Sequence, residues 1–376
     1  MTERYLDADA VKRLLDGAPP AAVLPQPGDL IAEKYRILGT LGAGGVAYVL
    51  EAHHELLDKA VALKVLAPEA ARGRSFETLA EKFLVEARAA AKVDSPYVAR
   101  VMDVGTLESG APFIVMERLE GCNLDELLFL EQRPKIEDAV DYVLQTLQGL
   151  AHAHVLGVVH RDLKPANLFL AKQPDGTSTV KILDFGIAFI LDDAGQPPAS
   201  ERVAAKGAIV GSPMYMSPEQ VRNDGTIDHR TDIWSLGVVL YELVTGKVPF
   251  GASAQGMGEL FGSILHDPLE PISKKREDAP KELDAVIAKA LARDPNERYE
   301  NVAELARALA PFGSGKWAHL ADSIEQSVEK KHKLLSGPDA FAPPPEEKSN
   351  YGFALFMLLV VGFGAAAWLA HRAHFF

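Results

Sequence analysis

The pattern of apolar residues changes near residues 117–121, and this change restricts the architecture more than any other feature. Between residues 35 and 117, the short runs YRILGTL, AYVLEAH, AVALKVL and FIVMER are typical of β-strands, and FETLAEKFLVEARAAAKV has helical spacing. After Gly121, helical runs such as AVDYVLQTLQGLAHAHVLG and TDIWSLGVVLYELVTG predominate. The sequence therefore predicts an α+β protein with a small strand-rich lobe that has one main helix, at about 35–117, and a larger helical lobe at about 121–312.

The composition excludes some classes of function. Of the 376 residues, 48% are hydrophobic and 24% are charged, which is typical of a globular protein with room for about two lobes. The net charge of −13 argues against nonspecific nucleic-acid binding, so no nucleic-acid partner is expected. Cys122 is the only cysteine, which makes an intrachain disulfide impossible. Residues 1–34 form an N-terminal extension, either a docking element or a frayed tail.

The stretch 351–370, YGFALFMLLVVGFGAAAWLA, contains no charged side chain and as a helix would span roughly 30 Å. It predicts a single-pass transmembrane helix in the cell (inner) membrane, although a buried core helix is the alternative. A polar juxtamembrane linker at 313–350 precedes it, and a short outer tail follows at 371–376. The lysines before the stretch predict that the N-terminal part is cytoplasmic. Gly362 and Ala366 have a spacing that permits two such helices to pack as a homodimer, or they are ordinary lipid-facing residues.

The strongest chemical signal is the run VVHRDLKPANLFL at 158–170, directly after a long predicted helix. KILDFGIA follows at 181–188, and VALKVL precedes both at 61–66. In this order the runs resemble the motifs of the eukaryotic-type (Hanks-type) protein kinase family, over about residues 35–312. PFIVME and YMSPEQ are similar to the bacterial serine/threonine branch of that family. The resemblance implies the bilobal protein-kinase fold and transfer of the ATP γ-phosphate to protein Ser/Thr hydroxyls, with Mg²⁺ or Mn²⁺.

The chemistry of phosphoryl transfer explains why these residue types occur together. Charge on three phosphates must be neutralised, and a hydroxyl must be aimed in line at the γ-phosphorus. Lys64 can hold the α- and β-phosphates if a carboxylate fixes its ammonium, and Glu86 is suitably placed on the predicted helix. Asp184 and Asn167 offer hard oxygen ligands for Mg²⁺.

The catalytic loop supplies the remaining chemistry. Asp162 can accept the proton of the substrate hydroxyl and orient it. Lys164, two residues further on, can stabilise the charge of the moving phosphoryl group. His160 is interpreted as structural, in agreement with the family resemblance.

The stretch LGAGGVAYV at 41–49 is by itself weak evidence for a phosphate-binding loop, because glycine-rich turns are common. With the downstream lysine and metal ligands, it is best interpreted as the lid of a nucleotide site. Ala47 stands where the third glycine of the family's loop is expected. The predicted ATP-binding residues, besides Lys64, are Leu41, Gly42, Ala43, Gly44, Gly45, Val46, Ala47, Tyr48, Val49, Ala62, Met116, Glu117, Leu119 and Leu170.

The run GSPMYMSPEQ at 211–220 resembles the end of an activation segment. Ser212 lies where serine/threonine kinases usually carry a threonine. The resemblance implies that Glu219 pairs with Arg298 and that Asp232 is the buried aspartate that braces the catalytic loop. Exposed ion pairs are the alternative for these contacts.

Ser200 is the only side chain with a hydroxyl between residues 184 and 211. Lys206 and Ala208 stand where related bacterial kinases carry threonines, although Arg161, the usual partner of an activation-loop phosphate, is present. We expect that activity does not require phosphorylation at the usual threonines. Either Ser200 replaces them or apolar packing holds the segment.

Two other functions remain open. A catalytically weak kinase fold could act as a scaffold at the membrane, although it would be expected to lack Lys64, Asp162 or Asp184, all of which are present. A small-molecule phosphotransferase of similar fold would not need the SPE motif or Arg298, which shape a peptide-docking segment. The sequence favours a membrane-tethered, autophosphorylating serine/threonine kinase in bacterial signalling.

Overall fold

The computed structural model describes residues 24–44, 47–67, 76–130, 133–185, 213–223 and 227–336. Gly45, Val46, Ser200, Ser212 and the predicted membrane segment at 351–370 lie outside these ranges. Within them, no helix is long and apolar enough to cross a membrane. Contacts divide the chain into Met1–Val328 and Glu329–Phe376, and the following paragraphs concern the first unit.

The N-terminal lobe is built on a six-stranded antiparallel sheet in the order β1-β2-β3-β4-β6-β5. Side chains on opposite faces of this sheet enter two different apolar clusters, because successive residues of a strand point in opposite directions. On β4, Val61, Leu63 and Val65 enter one cluster, so Lys64 lies on the opposite face, beside the main helix. The strands are β1 Leu30–Ile31, β2 Tyr35–Ala43, β3 Ala47–His54, β4 Lys59–Leu66, β5 Val101–Thr106 and β6 Pro112–Glu117.

Helix α1, Phe76–Lys92, covers the face of the sheet that carries Lys64. Its buried residues include Leu79, Phe83 and Ala87, whose spacing of four forms one apolar stripe. Glu86 precedes Ala87 and lies at the edge of this stripe, where it contacts Lys64. The amphipathic pattern of α1 therefore sets the position of the carboxylate.

The C-terminal lobe is mainly helical and surrounds one long buried helix. This helix is α5, Arg230–Thr245. Every residue of it except Arg230 and Glu242 is buried, as expected for a helix that is packed on all sides. A small sheet in the order β7-β8-β9 lies beside the helices. The helices are α2 Leu124–Phe129, α3 Ile136–Val155, α4 Pro218–Arg222, α5 Arg230–Thr245, α6 Met257–His266, α7 Lys281–Ala290, α8 Val302–Leu309 and α9 His319–Ser336, and the strands are β7 Gly121–Asn123, β8 Leu168–Lys172 and β9 Ser178–Ile182.

This arrangement confirms the predicted α+β architecture of a strand-rich lobe followed by a helical lobe. The predicted transmembrane helix stays a prediction, because its residues are not among those described. Helix α9 begins inside the stretch that the sequence assigns to the juxtamembrane linker, 313–350.

One carboxylate of α5 predicts a pH-dependent contribution to stability. Glu242 accepts a hydrogen bond from the Tyr215 hydroxyl at 2.6 Å, and burial raises the pKa of Glu242 above its ordinary value of 4.5, although the Tyr215 hydrogen bond opposes this shift. The folded state thus binds the proton more tightly than the unfolded state, and the free energy of unfolding falls as the pH rises through the folded-state pKa. The variant Glu242→Gln, which keeps an acceptor for Tyr215, should raise Tm relative to the wild type more at about pH 8 than at about pH 5.

Thermal unfolding at the two pH values tests this prediction. Glu297→Gln is a suitable control, since Glu297 is exposed and its replacement should change Tm equally at both pH values. A gain from Glu242→Gln that is equal at both pH values, or larger at the lower one, would contradict the prediction.

Candidate active site

The ammonium group of Lys64 contacts one carboxylate from each lobe. Its Nζ lies 3.0 Å from Glu86 Oε1 on α1 and 2.7 Å from Asp184 Oδ1, just beyond the end of β9. The side chains of Lys64 and Glu86 are only 12% and 15% exposed, whereas that of Asp184 is 41% exposed. One ammonium group is thus held between a shielded carboxylate and a more exposed one.

Lys64 and Asp184 favour each other's charged form, whereas burial, opposed by Lys64, raises the pKa of Glu86 to about 7. Desolvation would lower the pKa of Lys64, but the carboxylates of Asp184 and Glu86 outweigh it and hold that pKa above its ordinary value. Desolvation would likewise raise the pKa of Asp184, but Lys64 outweighs it and keeps that pKa below its ordinary value. At neutral pH the site therefore presents a cationic lysine for phosphates and an anionic aspartate for a metal ion.

The loop after α3 brings three further side chains together. Lys164 Nζ donates to Asp162 Oδ2 at 2.6 Å, and Asn167 Nδ2 donates to the Asp162 carbonyl at 2.8 Å and to Asp162 Oδ2 at 3.3 Å. The Asn167 carbonyl accepts a hydrogen bond from the Leu183 amide at 2.8 Å, one residue before Asp184. Asn167 therefore links the carboxylate of Asp162 to the segment that carries Asp184.

Asp232, at the start of α5, holds the backbone of this loop. Its fully buried carboxylate accepts hydrogen bonds from the His160 amide at 2.9 Å and the Arg161 amide at 2.8 Å. The φ of Arg161 is 64°, a left-handed conformation that is uncommon for a residue with a side chain and that these contacts help to maintain. The His160 ring lies 3.0 Å from the Leu183 carbonyl and packs on Phe185, so the same loop also supports the segment around Asp184.

The described residues predicted to bind ATP lie on β2, β3, β4, β6 and β8 and in the segment between β6 and β7. Gly42 and Ala43 end β2, and the Gly44 amide donates to the Ala47 carbonyl at 2.9 Å, which closes the turn to β3. Across the sheet, Ala62 pairs with Met116. The remaining described positions are Leu41 on β2, Tyr48 and Val49 on β3, Glu117 at the end of β6, Leu119 between β6 and β7, and Leu170 on β8.

The departure from glycine at Ala47 has a structural consequence. Ala47 is 7% exposed and packs with Leu66, Phe83 and Ile114 under the loop. Replacing it by glycine removes a buried methyl group and adds backbone freedom, at a cost of about 1 kcal/mol of stability. Because this methyl group points into the lobe, Ala47→Gly should change the KM for ATP by less than about tenfold. Steady-state kinetics over a range of ATP concentrations test this, and a larger change would assign the methyl group a direct role in nucleotide binding.

Glu219 and Arg298 form a buried bidentate ion pair between α4 and the segment before α8. Arg298 Nη1 and Nη2 each lie 2.7 Å from one Glu219 oxygen. The side chain of Arg298 is 0% exposed and that of Glu219 is 6% exposed. The guanidinium also donates to the carbonyls of Ala292 and Arg230 and packs over the Trp234 ring. The pair is therefore not an exposed surface pair.

Two contacts at the site were missed by sequence reasoning. His154 Nε2 lies 2.7 Å from Asp232 Oδ2, where it shares the carboxylate that holds the catalytic loop. Lys181 on β9 donates to Glu117 Oε1 at 2.7 Å, and the Arg100 amide donates to the same oxygen at 2.8 Å. His154 and Asp232 are 78 positions apart in the chain, and Lys181 and Glu117 are 64 positions apart. No local pattern in the sequence could therefore have indicated these contacts.

Comparison with known proteins agrees with this geometry. The family described as "Protein kinase domain" matches residues 35–308. The chain belongs to the protein kinase family. The resemblance to its bacterial serine/threonine branch is confirmed by curated relatives. The chain is 34% identical over 317 residues to the serine/threonine-protein kinase PknB of Mycobacterium leprae (strain TN). This alignment covers 84% of this chain and 48% of the relative.

Other relatives give a similar result for this kinase-family chain. It is 38% identical over 273 residues to the serine/threonine-protein kinase pkn3 of Myxococcus xanthus. This alignment covers 72% of this chain and 48% of the relative. The chain thus spans about half the length of these curated relatives. Among solved structures, the Mycobacterium tuberculosis PknI kinase domain is similar with a TM-score of 0.57 and 26% identity, over 77% of this chain and 100% of that domain.

The donor groups also fit the divalent cation that kinase-family proteins use. Asp184 provides a carboxylate that is partly exposed. Because Asn167 Nδ2 donates to Asp162, its amide oxygen is the atom left for a cation. Mg²⁺ prefers oxygen ligands and is commonly bound by one or two protein groups together with substrate phosphates, and this donor set suits such binding.

Proposed function

We propose that this chain is a protein kinase that transfers the γ-phosphate of ATP to serine and threonine hydroxyls of proteins, with Mg²⁺ or Mn²⁺ as the cation. The observation that carries the proposal is the joint contact of Lys64 with Glu86 and Asp184. This contact presents a phosphate-binding cation and a metal-binding anion side by side. The relatives' printed names, which are those of serine/threonine-protein kinases, support the choice of hydroxyl.

Each residue has a defined part in the proposed reaction. Lys64 binds the α- and β-phosphates, while Glu86 holds its ammonium in place. Asp184 and Asn167 hold the cation, which supplies charge neutralisation on the phosphates when bound. Asp162 orients the incoming hydroxyl and accepts its proton. Lys164 is within 2.6 Å of Asp162, where it can stabilise the negative charge that develops on the transferred group.

An assay with [γ-³²P]ATP tests this proposal against its alternatives. The full chain is incubated with a protein acceptor or with small-molecule acceptors, and phosphoamino acids are then identified. Phosphoserine or phosphothreonine is the expected product. Label on small molecules alone would indicate a small-molecule phosphotransferase. Nucleotide binding without any transfer would indicate a scaffold with a kinase fold.

The organisation of the whole chain is a further part of the proposal. We assign the kinase domain to residues 35–312, a juxtamembrane linker to 313–350 and a single-pass anchor in the cell (inner) membrane to 351–370, with the kinase domain on the cytoplasmic side. The absence of charge over the anchor supports this assignment. Membrane fractionation of cells that produce the full chain, compared with a chain ending at residue 350, tests it. Recovery of both forms in the soluble fraction would contradict the anchor.

Activity is proposed not to require phosphorylation at the usual activation-loop threonines, because Lys206 and Ala208 occupy the positions where these hydroxyls are expected. Either Ser200 replaces them as the phosphate acceptor, or apolar packing holds the segment. Phosphopeptide mapping after incubation with ATP, together with the kinetics of Ser200→Ala, distinguishes the two explanations. An inactive Ser200→Ala protein would eliminate apolar packing as the means of holding the segment, and full activity would support it.

A further inference from the structure

The chain continues to pack on the C-terminal lobe beyond the part that matches the kinase family, which ends at residue 308. Residues 313–328, here called the covering segment, carry three side chains into the apolar core of the lobe. Leu320 is 4% exposed, Ala321 is 9% exposed and Ile324 is completely buried. These positions form one stripe of α9, so the segment is held by burial of apolar surface.

The beginning of the covering segment is fixed to helix α3. The Ser314 amide donates to Asp141 Oδ1 at 3.1 Å, and the Ser314 hydroxyl donates to Asp141 Oδ2. A Cβ at Gly313 would lie 2.6 Å from Asp141 Oδ1, so a larger residue at this position would displace the carboxylate that holds Ser314. The segment is therefore attached at both ends, by polar contacts at Ser314 and by apolar contacts in α9.

Trp317 lies between these two attachments and contacts the N-terminal half of the molecule. Its ring meets the ring of Tyr97 edge to face, with centroids 6.5 Å apart and planes at 79°. This is a favourable geometry for an aromatic pair. Tyr97 belongs to the loop of residues 93–100, which connects α1 with β5.

The backbone at Tyr97 is in turn bonded to the strand that leads to the metal-binding carboxylate. The Ile182 amide donates to the Tyr97 carbonyl at 2.8 Å, and the Ala99 amide donates to the Ile182 carbonyl at 2.9 Å. Ile182 is the last residue of β9 and lies two positions before Asp184. The same loop follows α1, which carries Glu86. Tyr97 thus connects the covering segment with the strand that leads to Asp184.

We propose that Trp317 is a positioning residue for phosphoryl transfer. By packing on Tyr97 it holds the loop of residues 93–100 against β9 and so sets the position of Asp184 relative to Lys64. This inference rests on the proposed kinase function, and Trp317 itself lies beyond residue 308, where the family match ends. A purely structural role, in which Trp317 only stabilises the lobe, predicts a different result.

Binding of a nonhydrolysable ATP analogue to the full chain separates the two roles. The affinity is measured by calorimetry with and without Mg²⁺, and the ratio of the two affinities reports how well Asp184 is placed for the cation. Trp317→Ala should reduce this ratio by roughly 2- to 30-fold, the range expected for a residue that acts through its neighbours. Trp317→Phe, which keeps an aromatic ring, should restore most of the ratio.

His319→Ala is the matched control, because His319 is an exposed ring on the same segment, 6.1 Å from the Trp317 ring. It should leave the ratio unchanged. If Trp317→Ala does not fold, Trp317→Leu is used in its place. An unchanged ratio in the folded Trp317 variant would overturn the proposal, even if Tm falls, because it would show a structural role alone.

The binding measurement needs no phosphoryl transfer, so its result is separate from the test of the proposed function. A wild-type chain that transfers no phosphate would refute the kinase activity. A wild-type chain that transfers phosphate, together with Trp317 variants of normal Mg²⁺ dependence, would refute only the positioning role.

Discussion

Replacing Asp162 by asparagine should lower kcat for phosphoryl transfer by about 10²- to 10⁴-fold, the range for loss of a positioned general base. Asparagine has the same shape but cannot accept the proton of the substrate hydroxyl. The Asn167 hydrogen bond to the carbonyl of residue 162 is a main-chain contact and is retained. Because Lys64 is the group proposed to bind the phosphates and Asp184 the group proposed to bind the cation, the KM for ATP should change little.

Initial rates at saturating ATP, with a protein acceptor, measure this effect. Titration with nucleotide shows whether the variant still binds ATP. Asp322→Asn, which changes an exposed aspartate on α9, serves as the control and should retain the full rate. A kcat for Asp162→Asn close to that of the wild type would show that another group accepts the proton.

Replacing Arg298 by alanine should destabilise the folded protein by about 3–5 kcal/mol, the cost of breaking a buried ion pair by removing one partner. The variant leaves the Glu219 carboxylate buried without its bidentate partner, and it leaves the Ala292 and Arg230 carbonyls without their donor. Arg298→Lys should recover only part of this loss, since an ammonium cannot reproduce the two parallel hydrogen bonds.

Urea unfolding of the variants measures the loss. The exposed pair of Arg307 and Glu325 provides a matched control, and Arg307→Ala should cost far less stability than Arg298→Ala. The double variant Glu219→Leu/Arg298→Met should be more stable than either single variant, because no unpaired charge is left buried. If Arg298→Ala costs no more than Arg307→Ala, the pair contributes to stability only as a surface pair does.

Local patterns in the sequence were sufficient to predict several features of the site. The run AVALKVL predicted a strand that carries Lys64, and the structure confirms it as β4. The short spacing of Asp162, Lys164 and Asn167 limits them to one loop. The order of the motifs along the chain also predicted the family, which the comparisons confirm.

The composition of residues 313–350 predicted a polar linker, whereas the structure shows that Leu320, Ala321 and Ile324 are buried in the core of the helical lobe. Trp317, Leu320, Ala321, Ile324 and Val328 have the spacing of an amphipathic helix, a local signal that the polar composition of the whole stretch obscured. Which apolar surface this stripe covers is known only from the tertiary structure.

The amino-acid sequence by itself determined which of the main runs form strands and which form helices, because the spacing of apolar residues follows the period of the element. It also determined which chemical groups lie within a single loop. Only the tertiary structure decided the contacts of His154 with Asp232, Lys181 with Glu117 and Trp317 with Tyr97. These partners are far apart in the chain, and they meet because burial of apolar surface is not directional, so that the packing of the whole core selects which faces come together.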